Sequence, residues 1–332
     1  MRLLVTGAAG FIGSNFVHWW LERRPGDHVV ALDLLTYAGD RRNLEGLDVP
    51  FVEGDIGDLE LCGRVLAEER VEVVVNFAAE SHNSLAVVDP GRFFRTNVLG
   101  TQSLLEAARR AGVARFHHVS TCEVYGDLPL DSGEAFTEES PYRPRTPYNA
   151  SKAGGDHAVR AYHETFGLPV TITNCSNNYG PRQFPEKVIP LFTTNALDDR
   201  ELPLYASTQN RREWLHVDDH CRAIELVLER GREGETYNVG SGVERSVEEI
   251  ADLVLGLTGK PGSLKTIVPD RPGHDRRYLL DSSKLRRELG WEPEVGFDGG
   301  LRATVEWYAE NRAWWAPLRE RAPVQESAAW RS

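Results

Sequence analysis

Tyr148 and Lys152 stand four residues apart in "PYNASKAGGD", a YxxxK pair. On a helix that spacing brings both side chains to one face. A lysine ammonium one turn from a phenol lowers the phenol's pKa, so Tyr148 is expected to act as a base toward a hydroxyl proton. A second group lies in "VSTCEVYGD", where Thr121, Cys122 and Glu123 close a β-branched run. Thr121, Tyr148 and Lys152 read as a proton-relay triad, with the Glu123 carboxylate beside them. The thiol is the anomaly. With an ordinary pKa near ~8.5 it is a weak acid beside that carboxylate.

Removing a hydroxyl proton is productive when a hydride leaves with it, and a second motif supplies an acceptor. "VTGAAGFIGSN" sets Gly7, Gly10 and Gly13, with Phe11 and Ile12 among them, between the first apolar run and a helical one. Small residues there let the backbone turn tightly and approach a pyrophosphate, while the helix N-terminus favours its charge. Twenty residues beyond Gly13 comes Asp33, placed to accept hydrogen bonds from a ribose diol. Its charge would repel a 2′-phosphate and Leu34 offers no cation, so NAD is expected over NADP. Asp55 and Ile56 in "EGDI" are expected to flank the adenine, and Ala78 and Ala79 in "NFAAE" to leave room for the cofactor.

These residues need a scaffold, and the first 180 positions describe one. Short apolar runs ("RLLVTG", "HVVALD", "PFVEGD", "VEVVVNFAA", "RFHHVST", "PVTITNCSN") alternate with helical spacing over 13–24, 58–70, 99–111 and 148–166. The alternation predicts an α/β chain: a Rossmann-type doubly wound parallel sheet with a smaller, mostly C-terminal substrate-binding domain. The large domain is expected over 1–178 with a return segment near 214–240, the small one over 179–213 and 241–318, and 319–332 as a dispensable tail. At 332 residues there is enough chain for both.

Composition narrows the class. The chain is 41% hydrophobic and 27% charged with no long apolar run, so no membrane association is expected. A net charge of −12 argues against a nucleic-acid partner. Cys62, Cys122, Cys175 and Cys221 are scattered without a CxxC pair, which predicts no metal site and fits a cytoplasmic protein.

With "DLLTYAGD", "NFAAESH", "EVYGDLP", "NCSNNYGP", "FPEKVIPL", "REWLHVDDH", "DRPGHDRRY" and "ELGWEP" added to the motifs above, the chain resembles the extended short-chain dehydrogenase/reductases that modify nucleotide sugars, most closely the dTDP-glucose 4,6-dehydratases. The resemblance implies NAD as cofactor and a nucleotide-diphosphate sugar as substrate. It also implies a homodimer built on the helices 99–111 and 148–166. By it Ser81, His82, Asn177, Glu186, Lys187, Arg212, Arg271, His274 and Tyr278 would hold the substrate's diphosphate and sugar, with Leu204 and Tyr205 against the base.

Such enzymes oxidise sugar C4, which acidifies the C5 hydrogen; a glutamate removes that proton and a neighbouring aspartic acid protonates the departing C6 hydroxyl. Glu123 supplies the glutamate, but Cys122 occupies the aspartate's position. Asn83, Ser84 and Leu85 also depart from the family's usual residues after the histidine. A site with one carboxylate fewer would better accept a C6 carboxylate, since two carboxylates at ~4 Å repel by roughly 1–4 kcal/mol. Related glucuronate decarboxylases carry a small neutral serine there, so the leading expectation is decarboxylation of a dTDP- or UDP-linked glucuronate. The alternatives are dTDP-glucose 4,6-dehydration with the acid supplied by Glu123 or water, 5,6-dehydration, 4-epimerisation, and a noncatalytic sugar-nucleotide sensor.

Overall fold

A computed structural model of the chain describes residues 1–321. Its strands are β1 (Arg2–Thr6), β2 (His28–Asp33), β3 (Phe51–Glu53), β4 (Val73–Asn76), β5 (Arg115–Thr121), β6 (Val170–Cys175), β7 (Asn177–Tyr179), β8 (Leu202–Tyr205), β9 (Arg211–His216), β10 (Thr236–Val239), β11 (Glu244–Ser246) and β12 (Lys265–Val268). The helices are α1 (Phe11–Arg23), α2 (Leu59–Glu68), α3 (Asn83–Val88), α4 (Pro90–Phe94), α5 (Thr101–Ala111), α6 (Pro147–Phe166), α7 (Val188–Leu197), α8 (Val217–Arg230), α9 (Val247–Thr258), α10 (Ser283–Leu289), α11 (Phe297–Glu310) and α12 (Arg312–Arg319).

Seven strands form one parallel sheet in the order β10-β6-β5-β4-β1-β2-β3. Alternate residues of each strand face opposite sides, so the nearly unbroken apolar runs feed two cores at once. Leu4, Val30 and Val74 point toward α2, α5 and α6. Leu3, Val5, Val29 and Val75 point toward Phe16 and Trp20 of α1 and Ile224 of α8. This is the doubly wound α/β arrangement expected from the alternation of patterns.

The smaller lobe holds a three-stranded sheet, β11-β9-β7, and the pair β12-β8. Helices α7, α9 and α11 pack around Phe192, Trp214, Ile250 and Val254. Helix α9 is announced by a capping box, Ser246 with Glu249, a local signal the alternation analysis passed over. The chain returns to the large lobe at α8 rather than at residue 214, because Trp214 to His216 are still paired with β7.

Two further boundaries differ from expectation. The helix expected over 99–111 is α5 preceded by a π-helical stretch, Arg95–Gly100. There the Asn97 amide bonds both the N–H and the C=O of Glu80 and the Ser151 hydroxyl, tying the helix to the loop after β4. The C-terminal segment is docked further than a tail starting at 319 allows. Trp315 and Leu318 are buried, Arg319 pairs with Asp198, and Arg321 reaches Asp40 and the carbonyls of Thr36 and Gly39. Residues 322–332 of the expected tail lie outside the described residues.

Candidate active site

A cavity of about 420 Å³ opens at the carboxyl ends of β1, β4, β5 and β6 and runs into the smaller lobe. Gly7, Gly10, Phe11, Ile12, Gly13, Asp33, Asp55, Ile56, Ala78 and Ala79 border one end. Two glycines there are obligatory. Gly7 has φ +65°, and a methyl group on it would sit 2.7 Å from the Ala78 nitrogen; one on Gly13 would collide with the Gly7 carbonyl. Helix α1 begins without a side-chain cap, so its free N–H groups are available to an anion. Asp33 is oriented by the N–H groups of Ala9 (2.9 Å) and Leu35 (2.8 Å) and still borders the cavity. This cradle fits a dinucleotide with a free ribose diol.

At the centre β5 ends in Thr121, which caps a short 3-10 turn, Cys122–Tyr125, by accepting from the Glu123 N–H at 3.3 Å. Helix α6 starts opposite it, capped by Thr146 and led by Pro147, which sets Tyr148 in its first turn. Its apolar neighbour is Phe93, edge-on at 6.2 Å. Lys152 is buried one turn on and donates to the Val119 carbonyl at 2.8 Å. Thr121, Cys122, Glu123, Tyr148 and Lys152 all border the same cavity.

Burial, then Glu123 and the thiols of Cys175 and Cys122, hold the Tyr148 phenol well above its usual pKa, with only the Thr121 hydroxyl among the larger influences opposing them. Lys152 is itself lowered by burial, which buried Asp156 one turn further along opposes. Burial also raises the Glu123 carboxyl, Arg271 pulling it down and Asp275 pushing it up.

Cys122 borders the cavity from within an apolar cluster. It is 1% exposed and packs with Val124, Tyr125, Ala153, Tyr278 and Leu280. Burial, then Glu123, pushes its thiol well above the ordinary range. Cys175, opposite Thr121 in the sheet, is pushed up by burial to about 12.

At the far end of the cavity lie Ser81, His82, Asn177, Glu186, Lys187, Tyr205, Arg212, Arg271, His274 and Tyr278. Glu186 accepts from the Tyr37 hydroxyl at 2.8 Å and lies 3.3 Å from His82, whose imidazole burial pushes down to about 3 and so keeps neutral. Lys187 donates to the Ser81 carbonyl. The buried Asn177 Oδ1 has no protein partner, an acceptor waiting for a donor. Arg212 gives three N–H bonds to the carbonyls of Arg211, Asp275 and Arg276 and lies over the Tyr278 ring, leaving the rest of its guanidinium for a ligand.

Leu204 is a correction. At 1% exposed it belongs to the small lobe's core, while its neighbours Pro203 and Tyr205 border the cavity. The reason is the period of two along β8: adjacent residues cannot both face the ligand. Sequence reasoning also missed Tyr37, Phe184 and Asn83 as lining residues. Asn83 did carry a signal, its departure from the family pattern, but nothing local says that its amide donates to Glu123 Oε2 at 3.1 Å.

A doubly wound sheet with a glycine turn, an acidic residue ending β2 and Thr121, Tyr148 and Lys152 converging at the strand ends defines an extended short-chain dehydrogenase/reductase. The chain belongs to the GDP-mannose 4,6 dehydratase family, whose model matches residues 4–304. It is 50% identical over 327 residues to the dTDP-glucose 4,6-dehydratase of Streptomyces niveus, with 96% of each chain covered. Among solved structures it is similar to DesIV, the dTDP-glucose 4,6-dehydratase of Streptomyces venezuelae with NAD and TYD bound, at 53% identity and a TM-score of 0.92 over 96% of this chain and 100% of that one. The dTDP-glucose 4,6-dehydratase of Bacillus anthracis in complex with NAD is 46% identical, with a TM-score of 0.89 over 96% and 99%.

Proposed function

We propose that the chain binds NAD and converts dTDP-glucose to the 4-keto-6-deoxy sugar, the activity for which its relatives are named. The observation that carries this reading is that Glu123 borders the cavity together with Thr121, Tyr148 and Lys152. When bound, NAD would supply the hydride acceptor for C4 and the hydride donor for C6. Tyr148 takes the C4 hydroxyl proton, with Thr121 bonded to the phenol. Glu123 takes the C5 proton that the C4 ketone acidifies and hands it to the departing C6 hydroxyl. One carboxyl thus moves one proton from C5 to O6, the sum is loss of water, and the thiol is not called upon. C5 then regains a proton from Glu123 recharged by solvent.

The decarboxylase reading gives way here. Its premise was one carboxylate fewer beside C6, but the relatives that match this chain over nearly its whole length are named dTDP-glucose 4,6-dehydratases. Incubation with NAD and either dTDP-glucose or dTDP-glucuronate tests the choice. A C6 methyl signal by NMR from the glucose, and no carbon dioxide from the glucuronate, is expected, and Cys122→Ser should keep at least about a third of the rate. Carbon dioxide from the glucuronate without water loss from the glucose would restore the decarboxylase; a 5,6-unsaturated product would restore 5,6-dehydration; no turnover at all would leave a sensor.

We also propose a homodimer. Phe94 of α4 (43% exposed), Leu99 of the π-helical stretch (60%) and Phe166 at the end of α6 (54%) are large apolar side chains left exposed on these helices, where a second copy would cover them. Light scattering should give twice the 37.2 kDa chain mass, and a monomer at micromolar concentration would refute it.

A further inference from the structure

We propose that Asn83 and Asp275 are opposed positioning residues that set the charge of Glu123, Asn83 favouring the carboxylate directly and Asp275 drawing a donor away from it through the Tyr278 hydroxyl. The inference rests on the dehydration reading, in which Glu123 both takes and gives a proton.

Two donors converge on Glu123 Oε2, the Asn83 amide at 3.1 Å and the Tyr278 hydroxyl at 3.5 Å. Oε1 is left for proton transfer. The Asn83 amide is not free to turn, because its Oδ1 accepts from Thr146 Oγ1 at 3.3 Å and Thr146 is itself buried as the cap of α6. Its NH₂ end must therefore face the carboxylate.

Tyr278 has a single hydroxyl proton and two carboxylates to give it to. The fully buried Asp275 is the nearer, bonded by the same hydroxyl. Asp275 is in turn fixed by the Asn149 amide at 3.3 Å and the Arg145 guanidinium at 3.4 Å. It adds a negative charge near Glu123 and monopolises the shared proton. Both effects favour protonated Glu123, and Asn83 opposes them.

The other groups facing Glu123 are Cys122 on its own turn, Tyr148 of α6, Cys175 of β6, Arg212 of β9 and Arg271. Arg271 and Arg212 lower the carboxyl's pKa, while the thiols stay neutral because burial lifts them. A carboxyl held between opposing influences changes charge readily, which a single group serving as base and then acid requires.

The test is the pH dependence of kcat/KM for dTDP-glucose with the NAD-loaded protein. A base is lost as pH falls through its pKa, so raising that pKa moves the acid limb to higher pH. Asn83→Ala should move the limb up by about one unit, the order expected for a hydrogen bond to a charged group. Asp275→Asn should move it down by a similar amount, since the charge is gone and the Tyr278 proton is released to Glu123. Shifts of opposite sign are not produced by general loosening of the site. Limbs that stay in place, or move the same way, overturn the proposal.

Should Asp275→Asn fail to fold, Arg145→Gln on the exposed side of the pair must move the limb up by about half a unit, because Asp275 then repels Glu123 with less compensation. An unmoved limb there overturns the proposal equally. The unaltered protein separates the two levels. If it makes no 4-keto-6-deoxy sugar, the dehydration reading falls and takes the proposal with it; if it does and the limbs do not move as stated for each variant, the proposal falls alone.

Discussion

Tyr148→Phe should lower kcat by about 10²–10⁴-fold while leaving NAD and dTDP-glucose affinities within about threefold, the span that positioned proton transfer is usually worth. The substitution removes one oxygen and keeps the ring against Phe93, so the first turn of α6 and Lys152 stay where they are. What is lost is the group that accepts the C4 hydroxyl proton as the alkoxide develops, an interaction made in the transition state rather than in the bound substrate. Initial rates with ligand titration by fluorescence or calorimetry check both halves. A variant that keeps more than about a tenth of the rate would remove Tyr148 from the base role, and one that loses both ligands would make it a binding residue.

Glu123→Gln should cost a comparable 10²–10⁴-fold and stop the reaction at a different place. Glutamine has the shape of glutamate, and its carbonyl still accepts from Asn83 and Tyr278, so the pocket is preserved. It cannot take the C5 proton. Oxidation at C4 should therefore persist in a single turnover, seen as reduced-nicotinamide absorbance, while deuterium from D₂O no longer enters C5 and no C6 methyl forms. Deuterium entering C5 at the unaltered rate would assign the base elsewhere. If Cys122 were the acid after all, Cys122→Ser would arrest the reaction after C5 exchange, whereas Glu123→Gln blocks exchange itself.

The parts of this site that were legible in the sequence are those built from neighbours along the chain. Gly7, Gly10 and Gly13 lie within one strand–turn–helix unit, where the positive φ of Gly7 and the approach of Gly13 to the Gly7 carbonyl are local requirements. Tyr148 and Lys152 are brought together by one helical turn, and Thr121 to Glu123 by the end of one strand. Legibility failed where a contact depended on register or on distant segments. Leu204 and Tyr205 were paired as ligand contacts, yet the pleat of β8 sends them to opposite sides. The role of Cys122 was argued from charge alone, and the apolar cluster around it could be seen only once Ala153 and Tyr278 were packed against it.

By itself the order of residues determined a doubly wound α/β chain with a glycine turn, an acid for a ribose diol and a tyrosine–lysine pair, because periodicity, turn chemistry and helical spacing are local and each is repeated in the pattern of apolar residues. What packs around the thiol, how far the C-terminal segment stays docked and which donors reach Glu123 were decided by tertiary structure. Asn83 lies 40 residues from Glu123 along the chain and Tyr278 lies 155 away. Whether such groups meet depends on how two lobes close over a sheet edge, and a buried carboxyl takes its charge from whichever donors and ions that closure brings within a few ångströms.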